Sequence, residues 1–370
     1  MKEIKEKLGK IEKKNWIIIS CFLLSIIIIL FGGAFVYNKF FYKRSYQEIE
    51  SIMLEAAKSH FDSHPNMLPK NINDSVSISD SDLVAAEEMD TIAEYLKDET
   101  SSCQGKVTVT NMNGKYRYAV FLDCGEKEHQ TKKFIDYIKK NVALAQDGDG
   151  LYSLNNELVY RGDNVNNYLQ FSGKLYRIVK FSDDYSVIIF SEKLASKTWD
   201  DRYNIEKEDN SGINNYSISR AKEYLDNLYE GTSLIQEKDK TLVAAHNLGI
   251  GKRNNKDTDK TGALENATIL ENQYIGLLQM NDFLNASLDS NCSSSSSPSC
   301  SNYNYLANYK YSWWTMTASS ANSYKVYKVS SKATVALASS TNYIRPVLYL
   351  AKDAIYVSGD GSKDSPYVVK

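Results

Sequence analysis

Hydrophobic and polar positions divide the chain into segments of different period. Residues 16–37 (WIIISCFLLSIIIILFGGAFVY) carry no charge, and a helix of that length, rising about 1.5 Å per residue, predicts a span across a hydrocarbon core of roughly 30 Å. Beyond it, residues 43–62 place Tyr46, Ile49, Met53, Ala56, Ala57 and Phe61 on one stripe at helical spacing, which predicts an amphipathic stalk continuing outward from the apolar helix. The stripe is read as packing against the following domain. Pro65 and Pro69 stop that helix, and Ser79 or Asp80 can cap another through Leu83, Val84 and Met89. Alternation over 106–110 and 116–122 on either side of Asn113-Gly114 predicts a β-hairpin. The polar, lysine-rich stretch 125–141 reads as a helical linker.

Strand-like runs follow at 168–171, 175–181 and 187–191, separated by turns at 172–173 and 183–184. Ser217 or Ser219 opens a helix whose Ile218, Ala221, Leu225 and Leu228 share a face, and Gly231 closes it. Strands return at 313–317, 324–329, 334–337 and 345–350, with a last hairpin across 359–361 to Tyr367. The expected fold is α+β. Its parts are a cytoplasmic stub (1–15), a transmembrane helix (16–37), a stalk helix (38–62), a small α+β domain (63–135), a linker (136–150) and a larger mixed α/β domain (151–370).

Charge sharpens the topology and removes one class of partner. Lys2, Lys5, Lys7, Lys10, Lys13 and Lys14 precede the apolar run against three Glu, which by the positive-inside tendency places the N-terminus in the cytoplasm and the C-terminal domains outside the cell. The lipid bilayer is therefore the expected partner of residues 16–37. The whole chain has 44 Lys and Arg against 46 Asp and Glu, which gives no general attraction to nucleic acid. Beyond the apolar run the cysteines form two sequence-close pairs, Cys103 with Cys124 and Cys292 with Cys300. The first pair sits just outside the two arms of the hairpin, opposite each other, and the second frames a serine run that would be loose without a staple. Both are expected as disulfides in an oxidising compartment.

Catalytic signatures are sparse. No HExxH, GxSxG, P-loop or dinucleotide glycine pattern occurs. His60 and His64 are four residues apart but lack further ligands, and the Asp147-Gly148-Asp149-Gly150 turn has Leu151 and Tyr152 where a calcium loop needs an oxygen donor and glycine. Neither metal nor cofactor is expected, and enzyme is the weaker class. Aromatics are the better candidates: in a strand Trp313 and Trp314 point to opposite faces, so one fills the core and the other faces a loop-covered surface. Trp314, Tyr324, Tyr327 and Tyr343 are the expected ligand-binding set, since rigid rings bring contact area at low entropic cost. Arg345 beside Pro346 is read as a structural hydrogen-bonding residue.

The succession Asn167-Tyr168-Leu169-Gln170-Phe171, Leu175-Tyr176-Arg177-Ile178, Trp199 and the helix of residues 219–225, then Ile275-Gly276-Leu277-Leu278, Trp313-Trp314-Thr315-Met316-Thr317, Tyr324-Lys325-Val326-Tyr327 and Ile344-Arg345-Pro346-Val347-Leu348-Tyr349-Leu350, resembles a family of uncharacterised bacterial exported domains. Its ending is similar to the last strands of the C-type-lectin-like fold, including the formylglycine-generating-enzyme-like branch, and residues 16–135 resemble a pilin-like membrane-anchored region. The resemblance implies a lectin-like domain on a pilin-like anchor. Trp314-Thr315-Met316 departs from the Trp-Asn-Asp of calcium-dependent lectins, and Cys292 with Cys300 look structural where the enzymes carry a reactive pair. The functional expectation is a membrane-anchored surface module binding an extracellular glycan, wall polymer or protein. A structural pilin-like subunit is the alternative, and a cell-envelope enzyme the third.

Overall fold

In a computed structural model, the structure describes residues 18, 20–26, 37, 41–307 and 310–370. In chain order the elements are α1 (Tyr46–Ser63), β1 (Ser75–Ser79), α2 (Asp80–Ala85), α3 (Ile92–Leu96), β2 (Gln104–Asn111), β3 (Tyr116–Asp123), α4 (Phe134–Asn141), β4 (Gly150–Leu154), β5 (Glu157–Arg161), β6 (Tyr168–Phe171), β7 (Lys174–Phe181), β8 (Tyr185–Phe190) and β9 (Ser196–Thr198). They continue with α5 (Arg220–Glu230), β10 (His246–Gly249), β11 (Lys252–Arg253), β12 (Ile269–Gln273), β13 (Ile275–Gly276), α6 (Met280–Asn285), β14 (Trp313–Ser319), β15 (Lys325–Val329), β16 (Ala333–Leu337), β17 (Thr341–Tyr343), β18 (Val347–Ala351), β19 (Tyr356–Ser358) and β20 (Tyr367–Val369).

Two sequence expectations are corrected. Among the described residues no helix is long and apolar enough to cross a membrane. The span expected at 16–37 falls largely outside the described residues, and the structure supports neither a transmembrane helix nor the single-pass localisation built on it. The stalk is also not a continuation of an earlier helix. Residues 42–45 are non-helical, and α1 starts afresh at a capping box: Ser45 Oγ accepts from the Glu48 N–H while the Glu48 carboxylate accepts from the Ser45 N–H. The second correction is to fold class. Strand outweighs helix, and the α+β scheme with a mixed lectin-like C-terminal domain gives way to an architecture dominated by sheets.

The chain divides into two compact units. The first comprises residues up to His64, Ile78–Val107 and Val120–Gln130. Its core is the apolar stripe of α1, where Ile49, Met53, Ala56, Ala57 and Phe61 are buried together with Leu83, Ile92, Leu96, Val107 and Leu122. The stripe is a packing face, as its spacing suggested. Cys103 and Cys124 are bonded in this unit, and Tyr46 stacks on His129 at 4.8 Å while His129 Nε2 lies 2.9 Å from the Glu50 carboxylate.

Strands β1, β2 and β3 form a three-stranded sheet in that order. The β2–β3 hairpin closes where the Met112 N–H donates to the Lys115 carbonyl at 2.7 Å. Asn113 and Gly114 have φ of 60° and 82°, the pair of positive values that a type I′ turn requires and that explains the Asn-Gly sequence.

The second unit, Pro65–Ser77, Thr108–Ala119 and Thr131–Lys370, holds two large sheets and one extensive core. A nine-stranded sheet runs β13-β18-β8-β7-β6-β20-β19, with β5 pairing β7 and β4 pairing β5. A six-stranded sheet runs β16-β15-β14-β17-β9, with β11 beside β14, and β10 pairs β12 separately. Most pairings are antiparallel, but β20 lies parallel to β6, and β14 lies parallel to both β17 and β11. Strands β14 and β18 are buried at every position, which explains why neither carries a charged residue: both faces are covered. The expected linker contains α4, whose Phe134, Ile135 and Ile138 join this core, Phe134 meeting the rings of Phe181 and Tyr367 at 5.5 and 5.3 Å. Cys292 and Cys300 are bonded across the serine-rich loop.

Candidate functional site

The expected aromatic set does not assemble on a surface. Trp313, Trp314 and Tyr327 are all fully buried. Both tryptophans lie in β14, an interior strand buried at every position, so neither ring reaches solvent. Trp314 Nε1 donates to the Lys197 carbonyl at 2.9 Å, and Trp313 lies under the Arg345 guanidinium at 4.9 Å. Arg345 Nε donates to the Phe190 carbonyl, a structural role. Tyr343 is half-buried beneath Lys193 Nζ at 4.0 Å and beside Tyr311, while Tyr324 lies under Lys207 at 5.7 Å. None of the four lines either of two hollows in the second unit.

The larger of these is a cleft of about 490 Å³. Its wall is contributed by the start of β8 (Asp184, Tyr185), the end of β18 and the turn after it (Ala351, Lys352, Asp353), the 244–247 segment, Asn272 of β12, residues 72–74 and the hairpin residues Thr110 and Met112. β18 and β8 pair antiparallel with Ala351 opposite Tyr185, so a strand end and a strand start meet at the same sheet edge. Strand ends leave polar backbone and short polar side chains facing outward, which is why a sheet core as apolar as this one still presents a hydrophilic cleft there.

Aromatic and amide groups line the site in layers. His246 stacks on Tyr349 at 4.1 Å and contacts Tyr185 at 4.2 Å. Burial, aided by the charge of Lys180, pushes the His246 pKa down to about 4, so near neutral pH its ring is an uncharged aromatic surface. Burial holds the Tyr185 phenol above its ordinary range, leaving its hydroxyl a neutral donor and acceptor. Asn73 and Asn272 both adopt positive φ, 65° and 55°, a conformation in which Asn is among the few comfortable side-chain-bearing residues. Asn73 Nδ2 donates to the Ala245 carbonyl at 2.6 Å, whereas its Oδ1 is buried without a protein donor. The Asn272 N–H donates to Asn247 Oδ1 at 3.0 Å.

Asp353 anchors the floor. Its carboxylate accepts from Arg117 and, at 3.1 Å, from Thr110 Oγ1, while Arg117 Nη2 also donates to the Asp353 carbonyl at 3.1 Å. Burial lowers the Arg117 pKa while the charge and hydrogen bond of Asp353 oppose that shift, so the pair is held by its mutual attraction against the cost of desolvation. Asp184, by contrast, extends into solvent with Lys352 4.0 Å away. No serine or cysteine lines the cleft, and among the described residues no group of three His, Cys, Asp or Glu could hold a metal ion.

A smaller hollow of about 280 Å³ adjoins the cleft at Met112, which lines both. There Tyr229 and Tyr274 stack with ring centroids 5.0 Å apart and planes 7° from parallel, beside the Lys115–Glu237–Lys240 ion-pair chain. From the sequence alone His246 is assigned no role and Asp184 reads as half of a turn. Their only local signal is polar residues immediately flanking strongly apolar strands.

No protein family, curated protein or solved structure matches the chain.

Proposed function

We propose that the second unit is a binding module for a hydroxyl-rich, carbohydrate-like ligand held in the 490 Å³ cleft. The observation that carries this reading is the combination in one concavity of neutral rings (Tyr185, His246) with short carboxylates and amides (Asp74, Asp184, Asn73, Asn247, Asn272). Sugar rings offer apolar C–H faces that pack on aromatics, and vicinal hydroxyls that both donate and accept. Carboxylates accept, primary amides do both, and the orphaned Asn73 Oδ1 lacks only a donor such as a hydroxyl. A phosphorylated or strongly anionic ligand fits less well, because Asp74, Asp184 and Asp353 face only Lys352 across the lining.

An extended chain is favoured over a single sugar. Three segments run through both hollows in turn: 240–243 and 244–247, Met112 with its neighbours, and Asn272 with Tyr274. A polymer following them would meet the Tyr185–His246 pair and then the Tyr229–Tyr274 pair. The two disulfides fit a protein of an oxidising compartment, where envelope and extracellular glycans are met. The test is binding of the full chain to arrayed neutral glycans and wall polysaccharides, alongside Tyr185→Ala and Asn272→Ala. Saturable binding weakened at least tenfold by either substitution in a folded protein is expected; binding that both variants retain in full, or none to any polysaccharide, would refute the assignment.

A further inference from the structure

Within the core of the second unit, Lys180 of β7 lies between two carboxylates. Its Nζ is 3.0 Å from Asp282 Oδ1 of α6 and 3.1 Å from Glu157 Oε2 of β5. The side chains are 11%, 6% and 26% exposed respectively. Register fixes the arrangement: Val159 sits opposite Lys180 in the β5–β7 pair, and Asp282 projects from a helix whose other residues Met280, Phe283 and Leu284 are buried. The surroundings are aromatic, with Phe181 beside Lys180 in sequence and Tyr185 and Tyr349 close enough to feel the charges.

A lysine and a carboxylate held this way resemble an ion pair, yet they are also the two halves of an amide. We propose that Lys180 and Asp282 join through an intramolecular isopeptide bond, with Glu157 as the proton carrier. The atoms balance without any co-reactant. Lys180 Nζ passes a proton to Glu157, its lone pair attacks Asp282 Cγ, and the nitrogen gives up a second proton as the tetrahedral centre collapses. One Asp282 oxygen leaves with both protons as water, and Glu157 returns to its starting form. Ammonium plus carboxylate becomes amide plus water, with no change in net charge.

The division of roles follows from burial. Asp282 is the more enclosed carboxylate and sits on the shorter side chain, so it offers the fixed electrophile; Glu157 reaches nearer solvent, where a carrier can exchange protons. Burial raises the Glu157 pKa, with Lys180 opposing and Asp282 reinforcing, which makes it a more willing acceptor than an ordinary carboxylate. Lys180 is held above its usual range because the two carboxylates outweigh the burial that would discharge it, so the first proton transfer is the step Glu157 must perform. Fixed neighbours at contact distance supply the effective concentration that a free amine and acid lack. The product removes two charges from a site where charge is costly, which favours the amide over hydrolysis.

The experiment is peptide mapping of the full chain by mass spectrometry after denaturation, reduction and trypsin digestion. The expected result is a branched peptide joining the segments that carry Lys180 and Asp282, lighter than their sum by one water and uncleaved after Lys180. Lys180→Met should yield the Asp282 peptide unbranched, and Glu157→Gln, which preserves shape, should yield both peptides separate in a protein that keeps its two disulfides. Unmodified, separate peptides with normal cleavage after Lys180 in the native chain would overturn the bond, and a branched peptide persisting in Glu157→Gln would overturn the role given to Glu157. Neither readout depends on glycan binding.

Discussion

At the scale of single residues, the cleft is built on two buried dependencies. Arg117 and Asp353 are 7% and 2% exposed, so removing one partner strands the other in an environment that cannot solvate it. Asp353→Ala is expected to destabilise the protein by about 3 kcal/mol or more in chemical denaturation, well beyond the median exposed ion pair. His246 gives a pH signature. Its folded-state pKa lies near 4 rather than the ordinary 6.5, so the unfolded chain takes up a proton that the folded chain refuses. Its contribution is fully present above about pH 6.5 and is lost as pH falls toward about 4. Melting temperatures measured from pH 7 to 4 should fall less steeply in His246→Phe, which keeps the stacked ring and removes the titration. Little of this was legible in the sequence. Neither Asp353 nor His246 has a motif around it; both acquire their character from chain segments distant in sequence, and periodicity carries no information about such partners.

At the scale of elements, local rules read well wherever local forces decide. The hairpin is the clearest case, since Asn113-Gly114 is required by two consecutive positive φ values and the alternation of its arms marks where pairing begins. Gly114→Ala forces a Cβ into the left-handed region without any nearby atom to clash with, so its cost is conformational alone. A loss of about 1 kcal/mol is expected in denaturant titrations, with the Asn113→Gly variant close to neutral. The stripe of α1 was equally legible because helical packing repeats over many residues. The start of α1 was not placed correctly, because the capping box at Ser45 and Glu48 was overlooked beside the apolar run that precedes it. The tryptophans of β14 fail for a different reason: period two tells which residues share a face, but not whether the second face is covered by another layer.

For the whole molecule, the cysteine pairing followed from position along the hairpin and the serine-rich loop, and the disulfides are the long-range feature that the sequence made plain. They tie loops of different length, with sequence separations of 21 and 8. Chain entropy then predicts the larger effect for Cys103–Cys124, about 3 kcal/mol, and a smaller one for Cys292–Cys300. Paired Cys→Ser variants compared by urea denaturation would check that order, and equal losses would point to native packing around each bridge as the controlling factor. Sheet order was the least legible property, because the strands that pair are often far apart in the chain and register depends on which turns and layers form first.

One such pairing bears on how the protein is made. Strand β20, residues Tyr367–Val369, lies between β6 and β19 in the nine-stranded sheet and runs parallel to β6. Residues 172–366 are synthesised after β6 and before β20, so through that stretch β6 lacks the neighbour that later covers one of its edges. The nascent chain therefore carries an open strand edge while those residues are made, a period in which chaperone occupancy matters for this sheet.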